Sequence, residues 1–259
     1  MNLLEHCIIP DWPAPKNIRT LQTTRNGGIS AAPYNSLNLS SNVGDAPLAV
    51  ARNRMLLEPM LPSEPVWLKQ VHGVVVADAA QAECWPEADA CVSTHPGAVC
   101  VVMTADCLPV LLCNDKGSVI SAVHAGWRGL CDGVIEHTVR AMDVPPNTLM
   151  AWLGPAIGVQ AFEVGDEVRA EFIGKDQQAA AAFVPDTSGK WFADIYQLAG
   201  LRLNASGVTR VYGGGLCTYT DSANFFSYRR DSVTGRMGTF IWLDKQFPFF
   251  QPCENRVNR

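Results

Sequence analysis

Three short apolar runs in the middle of the chain constrain its fold more than any other feature. The runs Val99–Met103, Leu108–Cys113 and Val119–Val123 consist mainly of aliphatic residues, which is typical of buried strands. The break between the first two runs carries Cys107, and the third run is followed directly by His124. A thiol and an imidazole at neighbouring strand ends can converge on one metal ion or one substrate atom.

The composition indicates a globular protein without a nucleic-acid surface. Of the 259 residues, 47% are hydrophobic and 17% are charged, and the net charge is -5, which provides enough apolar material for a sizeable core. No run of Lys or Arg forms a basic stripe, so no nucleic-acid partner is predicted. Nine cysteines, an odd number with several inside apolar runs, favour reduced thiols over a disulfide framework.

The N-terminal segment lacks the features of a secretion signal, because acidic Glu5 and Asp11 interrupt its short apolar run. No apolar run is long enough to cross a bilayer. The sequence therefore predicts a soluble cytoplasmic protein with no membrane partner.

Further strands and helices flank the central runs. Predicted strands are Ile18–Thr24, Val66–Val71, Gly73–Ala77, Leu149–Leu153 and Thr209–Tyr212; predicted helices are Pro47–Leu57, capped by Asp45, Gly129–Ala141, Glu163–Ile173 and one led by Asp194. Strands and helices do not alternate regularly, and no linker divides the chain. We therefore predict one α+β domain over residues 1–259, monomeric, with a flexible tail from about residue 251.

A third ligand-type residue, His72, lies upstream in the segment Gln70-Val71-His72-Gly73. Scattered single ligands at strand ends suit a catalytic metal site better than a structural one, which draws close pairs such as C-x-x-C. Two His and one Cys with an open fourth position is the make-up of a catalytic zinc site. The residues His72, Cys107 and His124 are therefore the predicted ligands.

Simpler interpretations compete with the metal site. A free cysteine is usually a small buried hydrophobic residue, and a single histidine is more often a core residue than a ligand. Cys107 and His124 could also act as a thiolate nucleophile and its base. The other histidines, His6, His95 and His137, are predicted to lie on the surface.

Several arginines beside turns or aromatic residues are candidates for binding an anion, because the guanidinium fork matches phosphate and carboxylate. They include Arg25, Arg54, Arg128 and Arg229. The segment Phe226–Asp231 is predicted to be extended and alternates aromatic with basic residues. The Gly213-Gly214-Gly215 loop lacks the G-K-[ST] of a Walker motif.

Several motifs together resemble one known family. They are Thr24–Gly28, Ser36–Leu39, Asn53-Arg54, Gln70–Gly73, Thr104–Pro109, Val123–Gly129, Gly154–Gly158, and Phe226–Asp231 with Thr234–Arg236. The chain resembles the YfiH family, also called the laccase-domain or polyphenol oxidase family, which includes the peptidoglycan editing factor. The resemblance implies a layered α/β/β/α sandwich, with zinc held by His72, Cys107 and His124.

The resemblance also implies purine nucleoside chemistry. Members of the family are phosphorylases that cleave adenosine, inosine, guanosine or methylthioadenosine with phosphate, and they hydrolytically deaminate adenosine. Multicopper oxidation is improbable, because such enzymes need about ten histidine ligands and this chain has five His and no H-x-H.

Candidate groups for these reactions can be named from the sequence. Asp106 is the predicted proton shuttle for deamination, and Gln70 and Asn38 are predicted to contact purine or ribose. The arginines predicted to bind phosphate are Arg25, Arg54, Arg128 and Arg229.

Two alternatives to a nucleoside enzyme stay open at this point. Cys107 with His124 could form a thiol hydrolase or amidase that acts on peptidoglycan precursors. A non-enzymatic binding module for a cell-wall ligase, with a purely structural zinc, is the third interpretation.

Overall fold

The structure is a computed structural model that describes residues 3–82 and 84–244. These residues contain thirteen strands. In chain order they are β1 Cys7–Ile8, β2 Ile18–Thr23, β3 Val76–Asp78, β4 Ala90–Ser93, β5 Val99–Thr104, β6 Leu108–Asn114, β7 Ile120–Ala125, β8 Leu149–Leu153, β9 Glu163–Val164, β10 Phe183–Pro185, β11 Trp191–Ala193, β12 Arg210–Gly213 and β13 Met237–Leu243.

Six α-helices and four short 3-10 helices occur in the same residues. The α-helices are α1 Pro47–Met55, α2 Trp127–Asp132, α3 Val134–Ala141, α4 Asp166–Lys175, α5 Ile195–Ala205 and α6 Tyr228–Asp231. The 3-10 helices are Leu3–His6, Glu58–Met60, Pro146–Thr148 and Gln177–Ala182. Within the described ranges, no helix is long and apolar enough to span a bilayer.

Two β-sheets pack face to face at the centre of the molecule. The six-stranded sheet has the order β12-β8-β6-β7-β4-β3, and the four-stranded sheet has the order β1-β2-β13-β5. The three central apolar runs are divided between them, because β5 belongs to the smaller sheet while β6 and β7 form an antiparallel pair in the larger one. A separate three-stranded sheet has the order β10-β11-β9.

Successive side chains of a strand point to opposite faces, and this alternation sorts the core into layers. Leu111 of β6 and Ala122 of β7 pack in the space between the sheets, together with Val102 of β5. Their neighbours Leu112 and Val123 pack on the other face, in the same cluster as buried residues of α2, α3, α4 and α5.

The outer face of the four-stranded sheet is covered by Leu37 and Leu39, by Leu57 directly after α1, and by Trp67. The order across the molecule is therefore helix, sheet, sheet, helix. The predicted α+β class and layered α/β/β/α sandwich are confirmed. The predicted flexible tail from about residue 251 lies outside the described residues.

The helix predicted over Gly129–Ala141 is in fact two helices, α2 and α3. The break falls at Gly133, whose φ of +102° lies in the left-handed region. Residues with a Cβ rarely adopt this conformation, so glycine allows α2 to end and α3 to begin at one residue. The predicted strands Ile18–Thr24 and Leu149–Leu153 and the helix led by Asp194 are confirmed.

Three local predictions are wrong. Between Val66 and Ala77 the chain forms isolated bridges and only the beginning of β3, rather than two strands. Asp45 does not cap α1, because its carboxylate accepts hydrogen bonds from the Ser30 hydroxyl and the Asn38 amide instead. The segment predicted to be extended contains the short helix α6, which the side chain of Ser227 caps.

We expect Gly133→Ala to lower the free energy of unfolding by about 1–2 kcal/mol, because an alanine at this left-handed position is strained. Its added methyl group would have no close neighbour, since the nearest atom, Glu136 Oε2, is 3.4 Å away. Chemical denaturation monitored by circular dichroism measures the change.

The matched control is Gly200→Ala within α5, where a Cβ would meet nothing within 4 Å. There alanine should stabilise the protein by about 0.5–1 kcal/mol, because it restricts the unfolded chain and favours helix. Equal effects of the two substitutions would contradict the assignment of strain to Gly133.

Candidate metal centre

Three ligand-type side chains meet at one end of the interface between the two central sheets. Cys107 lies in the turn between β5 and β6, His124 lies near the end of β7, and His72 lies in the loop before β3. One atom from each, two imidazole nitrogens and the thiol sulfur, lie within 4.8 Å of one another. Among residues 3–82 and 84–244, this is the only group of three or more such side chains placed to hold a metal ion.

The backbone of His72 is held in an unusual conformation by a buried carboxylate. Its φ is +62°, in the left-handed region. Asp89 accepts hydrogen bonds from the backbone N–H groups of Val71, His72 and Gly73, at 3.2, 2.9 and 2.7 Å. Successive amides that converge on one anion form a nest. This local arrangement explains why the segment is not a continuous strand.

Asp89 also orients His124, and both side chains are buried. Its Oδ1 lies 2.7 Å from Nδ1 of His124. Because an ionised carboxylate can only accept, Nδ1 carries the proton and Nε2 is left for Cys107 or a metal. Burial raises the pKa of the Asp89 carboxyl, but the hydrogen bonds from His124 and the backbone outweigh burial and hold it below its ordinary value.

Asp89 was not among the residues predicted from the sequence. It stands directly before β4, between Ala88 and Ala90, which are both fully buried. An acid in such a position needs partners, because burying an unpaired charge is costly. That requirement is the signal by which sequence reasoning could have found it.

Cys107 follows a tight turn whose shape depends on Asp106. The φ of Asp106 is +101°, and its two carboxylate oxygens accept hydrogen bonds from the Thr218 hydroxyl at 2.6 Å and the Arg229 backbone N–H at 2.7 Å. Asp106 does not line the cleft onto which the three ligand-type residues open. These hydrogen bonds hold the residue directly before Cys107, and a proton-shuttle role for Asp106 stays a prediction.

The Cys107 thiol and the buried His124 imidazole shift each other's pKa values. Burial raises the pKa of the Cys107 thiol, but the charge and hydrogen bond of His124, with a hydrogen bond to His72, lower it to about 6. Burial lowers the pKa of His124, but Cys107 and Asp89 raise it to about 9. Without a metal, a thiolate beside an imidazolium is therefore favoured between these two values.

Gly126 leaves room for the ligands at the start of α2. A Cβ at this position would lie 2.6 Å from Cδ2 of His72 and 3.1 Å from Sγ of Cys107. Only a residue without a side chain therefore fits against the cluster. The space around Gly129, one turn later, is similarly crowded, because a Cβ added there would lie 2.6 Å from the carbonyl oxygen of Gly73.

The cluster opens onto a cleft of about 530 Å³, within the ~300–1,000 Å³ typical of small-molecule sites. Besides the three ligand-type residues, it is lined by Ser40, Asn42, Val43, Leu68, Gln70, Met103, Thr104, Ala105, Arg128, Tyr228 and Arg236. Tyr228 is 58% exposed.

Two cationic side chains, Arg128 and Arg236, line this cleft. In the described part of the chain, neither forms an ion pair with a carboxylate. Nη1 of Arg236 donates hydrogen bonds to the carbonyl oxygens of Thr234 and Gly235. Burial lowers the pKa of the Arg236 guanidinium, and the nearby negative charges of Cys107 and Asp106 oppose this effect. Arg236 was not predicted as a site residue, although it belongs to the Thr234–Arg236 motif.

The structure places the other predicted arginines outside the cleft. The guanidinium groups of Arg25, Arg54 and Arg229 donate hydrogen bonds to main-chain carbonyl oxygens. Arg54 also stacks on Trp67 at 3.8 Å. These contacts hold loops together, and phosphate-binding roles for the three arginines stay predictions.

The two predicted amide contacts are also engaged within the protein. Asn38 is fully buried, and its side chain bonds the backbone of Ser40 and Arg236 and the carboxylate of Asp45. Gln70 lines the cleft, but its amide exchanges two hydrogen bonds with the backbone of Met103, both at 2.8 Å. Roles for either residue in binding purine or ribose stay predictions.

Comparison with known proteins shows extensive similarity. The profile of the family described as multi-copper polyphenol oxidoreductase laccase matches residues 19–244. A protein of Pseudomonas aeruginosa named purine nucleoside phosphorylase is 52% identical over 237 residues, which cover 91% of this chain and 98% of that protein. Purine nucleoside phosphorylase YfiH of Escherichia coli is 53% identical over 239 residues, with coverage of 91% and 98%.

Solved structures show the same similarity. A crystal structure of a Neisseria meningitidis protein is 51% identical, with a TM-score of 0.90 over 92% of this chain and 99% of that chain. The crystal structure of the hypothetical protein YfiH of Bacillus licheniformis is 27% identical, with a TM-score of 0.83 over 88% of this chain and 93% of that chain.

In metal-free protein, we expect the rate at which iodoacetamide alkylates Cys107 to rise as the pH increases through about 6. The thiolate is the nucleophile, and its fraction grows as the pH passes the pKa. Mass spectrometry of the Cys107 peptide across a pH series measures the midpoint. In His124→Ala the midpoint should move towards about 8.5; a midpoint there in the unaltered protein would contradict the pairing.

We expect Gly126→Ala to lose bound divalent metal while it stays folded, because the new methyl group displaces His72 and Cys107. The backbone of Gly126, with φ of -63°, accommodates alanine. Metal content per chain after dialysis and the melting temperature are the two measurements. Gly174→Ala in α4, where a Cβ meets nothing within 4 Å, is the control; full metal content in Gly126→Ala would refute the role of this glycine.

Proposed function

The chain belongs to the family described as multi-copper polyphenol oxidoreductase laccase, and we propose that it is a zinc-dependent purine nucleoside phosphorylase. The resemblance to the YfiH family that the motifs predicted is confirmed. The proposed substrates are adenosine, inosine, guanosine and methylthioadenosine, with phosphate as the second substrate. The observation that carries the proposal is one cleft that holds both the His-Cys-His cluster and two arginines without carboxylate partners.

We propose Zn²⁺ as the metal held by His72, Cys107 and His124. Two imidazole nitrogens and one thiolate form a donor set that suits zinc, and three protein ligands, with a fourth position left for water or substrate, are typical of catalytic zinc sites. Zinc, when bound, supplies Lewis-acid activation of a water molecule or substrate atom. A multicopper centre lacks support, because the chain has five His and only two of them lie in the cluster.

The residues of the cleft include groups that could bind each of the two substrates of phosphorolysis, the phosphate and the nucleoside. A phosphate oxygen attacks the anomeric carbon of the ribose, the bond to the purine nitrogen breaks, and the purine leaves. Arg128 and Arg236 would bind the phosphate and offset its negative charge. Tyr228 presents an exposed aromatic ring, on which a purine base could stack.

We extend the proposal to adenosine deaminase activity in the same cleft. Water then replaces phosphate as the nucleophile, attacks the purine C6, and ammonia leaves. A link to peptidoglycan editing is proposed on the family resemblance alone. All eight cysteines in the described residues are free thiols, which supports the proposal of a cytoplasmic location.

A second candidate function has a geometric basis. Asp89 pairs with Nδ1 of His124, and His124 and Cys107 belong to one cluster whose ligand atoms lie within 4.8 Å of one another, an order that resembles an acid-histidine-nucleophile triad. In this hypothesis the Cys107 thiolate attacks an amide carbonyl of a peptidoglycan precursor, the amine leaves with a proton from His124, and water hydrolyses the thioester. Such an activity should resist a strong chelator and leave a covalent adduct on Cys107.

One experiment separates these functions. Protein with a measured zinc content is incubated with adenosine, with and without phosphate, and the products are identified by chromatography. Adenine formed only with phosphate indicates phosphorolysis, and inosine indicates deamination. Absence of both products from zinc-loaded protein would refute the nucleoside proposals.

We expect His72→Ala and Cys107→Ala to lose zinc and both activities while staying folded. Loss of a residue that hydrogen-bonds a metal ligand usually lowers metal affinity or activity by about 10–100-fold. Removal of a ligand itself should lower them further. His137→Ala, on the exposed face of α3, is the control. Full zinc content in both ligand variants would contradict the site.

A further inference from the structure

One residue that lines the cleft carries a buried hydroxyl group with no partner within the described residues. Thr104 is the last residue of β5, and it is 2% exposed. Its Oγ1 is buried and makes no hydrogen bond to any described residue. Nearly all buried polar side-chain atoms in proteins have a partner, so this hydroxyl needs an explanation.

The pleat of β5 directs Thr104 towards the metal centre. Val102 and Cys100, two and four residues earlier, pack in the space between the sheets, and side chains two apart share a face. His124 follows Ile120 and Ala122 of β7 into the same space. Thr104 and His124 therefore lie on facing layers at the same end of the interface, and both line the cleft.

We infer that the Thr104 hydroxyl forms a hydrogen bond with a polar atom of the purine nucleoside, an inference that rests on the proposed function. A hydroxyl can donate and accept, so it suits either a ribose hydroxyl or a purine nitrogen. A site with a buried polar group of this kind favours a ligand that completes the hydrogen bond. Thr104 is thus a residue that contacts substrate, in addition to the metal ligands and arginines.

The chain contains a matched control for this inference. Thr234 is 1% exposed, and its Oγ1 likewise lacks a partner in the described part of the protein. Unlike Thr104, it does not line the cleft. Valine has nearly the shape of threonine without the hydroxyl, so the same substitution can be made at both positions.

The experiment compares Thr104→Val, Thr104→Ser and Thr234→Val in the zinc-loaded protein, with adenosine and inorganic phosphate as probes. We expect Thr104→Val to raise the KM for adenosine about tenfold, the usual effect of one lost hydrogen bond, and to leave the KM for phosphate unchanged. Its melting temperature should be equal to or above that of the unaltered protein, because an unpaired buried hydroxyl is removed. Thr104→Ser should retain the original KM, and Thr234→Val should leave both KM values unchanged.

Three outcomes would overturn the inference. These are an unchanged KM for adenosine in Thr104→Val, an increase only in the KM for phosphate, and a lowered melting temperature, which would show that the hydroxyl already has a partner in the free protein. If the unaltered protein neither binds adenosine in calorimetry nor cleaves it, the proposed function fails, and this inference fails with it. If the unaltered protein cleaves adenosine and Thr104→Val behaves identically, only the inference fails.

Discussion

The hydrogen bonds to the carboxylate of Asp89 are the interactions on which the candidate metal centre depends. This carboxylate accepts hydrogen bonds from three consecutive backbone amides around His72 and from the ring of His124. One buried charge thus fixes a loop and a strand that lie far apart in the sequence. Removing it would leave several buried or partly buried donors unpaired at once, and each such loss is costly. The positions of both histidines are therefore coupled through a buried residue that does not itself line the cleft.

The packing of two sheets explains why the site lies where it does. Apolar side chains fill the space between the sheets along most of its length, and period-two alternation carries this pattern to the strand ends. At one end the pattern continues with Thr104 and His124 instead of aliphatic residues. The strand alternation that directs apolar side chains into the core therefore also directs these polar side chains into the cleft. The cleft lies where the apolar layer between the two sheets ends.

Sequence patterns predicted those parts of the molecule that depend on periodicity and residue type. The apolar runs gave β5, β6 and β7, and ligand chemistry selected His72, Cys107 and His124, which the structure brings within 4.8 Å. The patterns could indicate that Asp89 needs partners, but not which ones, because three backbone amides and the ring of His124 come together around it only in the folded state. The left-handed backbones of His72 and Asp106 were equally hidden, because only a few per cent of non-glycine residues adopt this conformation, even though Asp and His do so more often than most.

The arginines show why residue type alone is a weak guide to anion binding. Arg25, Arg54 and Arg229 looked equivalent to Arg128 in the sequence, yet their guanidinium groups donate to main-chain carbonyl oxygens. A guanidinium offers five donors in a fixed plane, and a loop without regular structure has carbonyl oxygens that need partners. The protein uses most of these arginines to satisfy such loops. Arg236 also donates to main-chain carbonyl oxygens, yet it lines the cleft together with Arg128. The feature that separates these two arginines from the others is therefore their position at the cleft, which depends on tertiary structure.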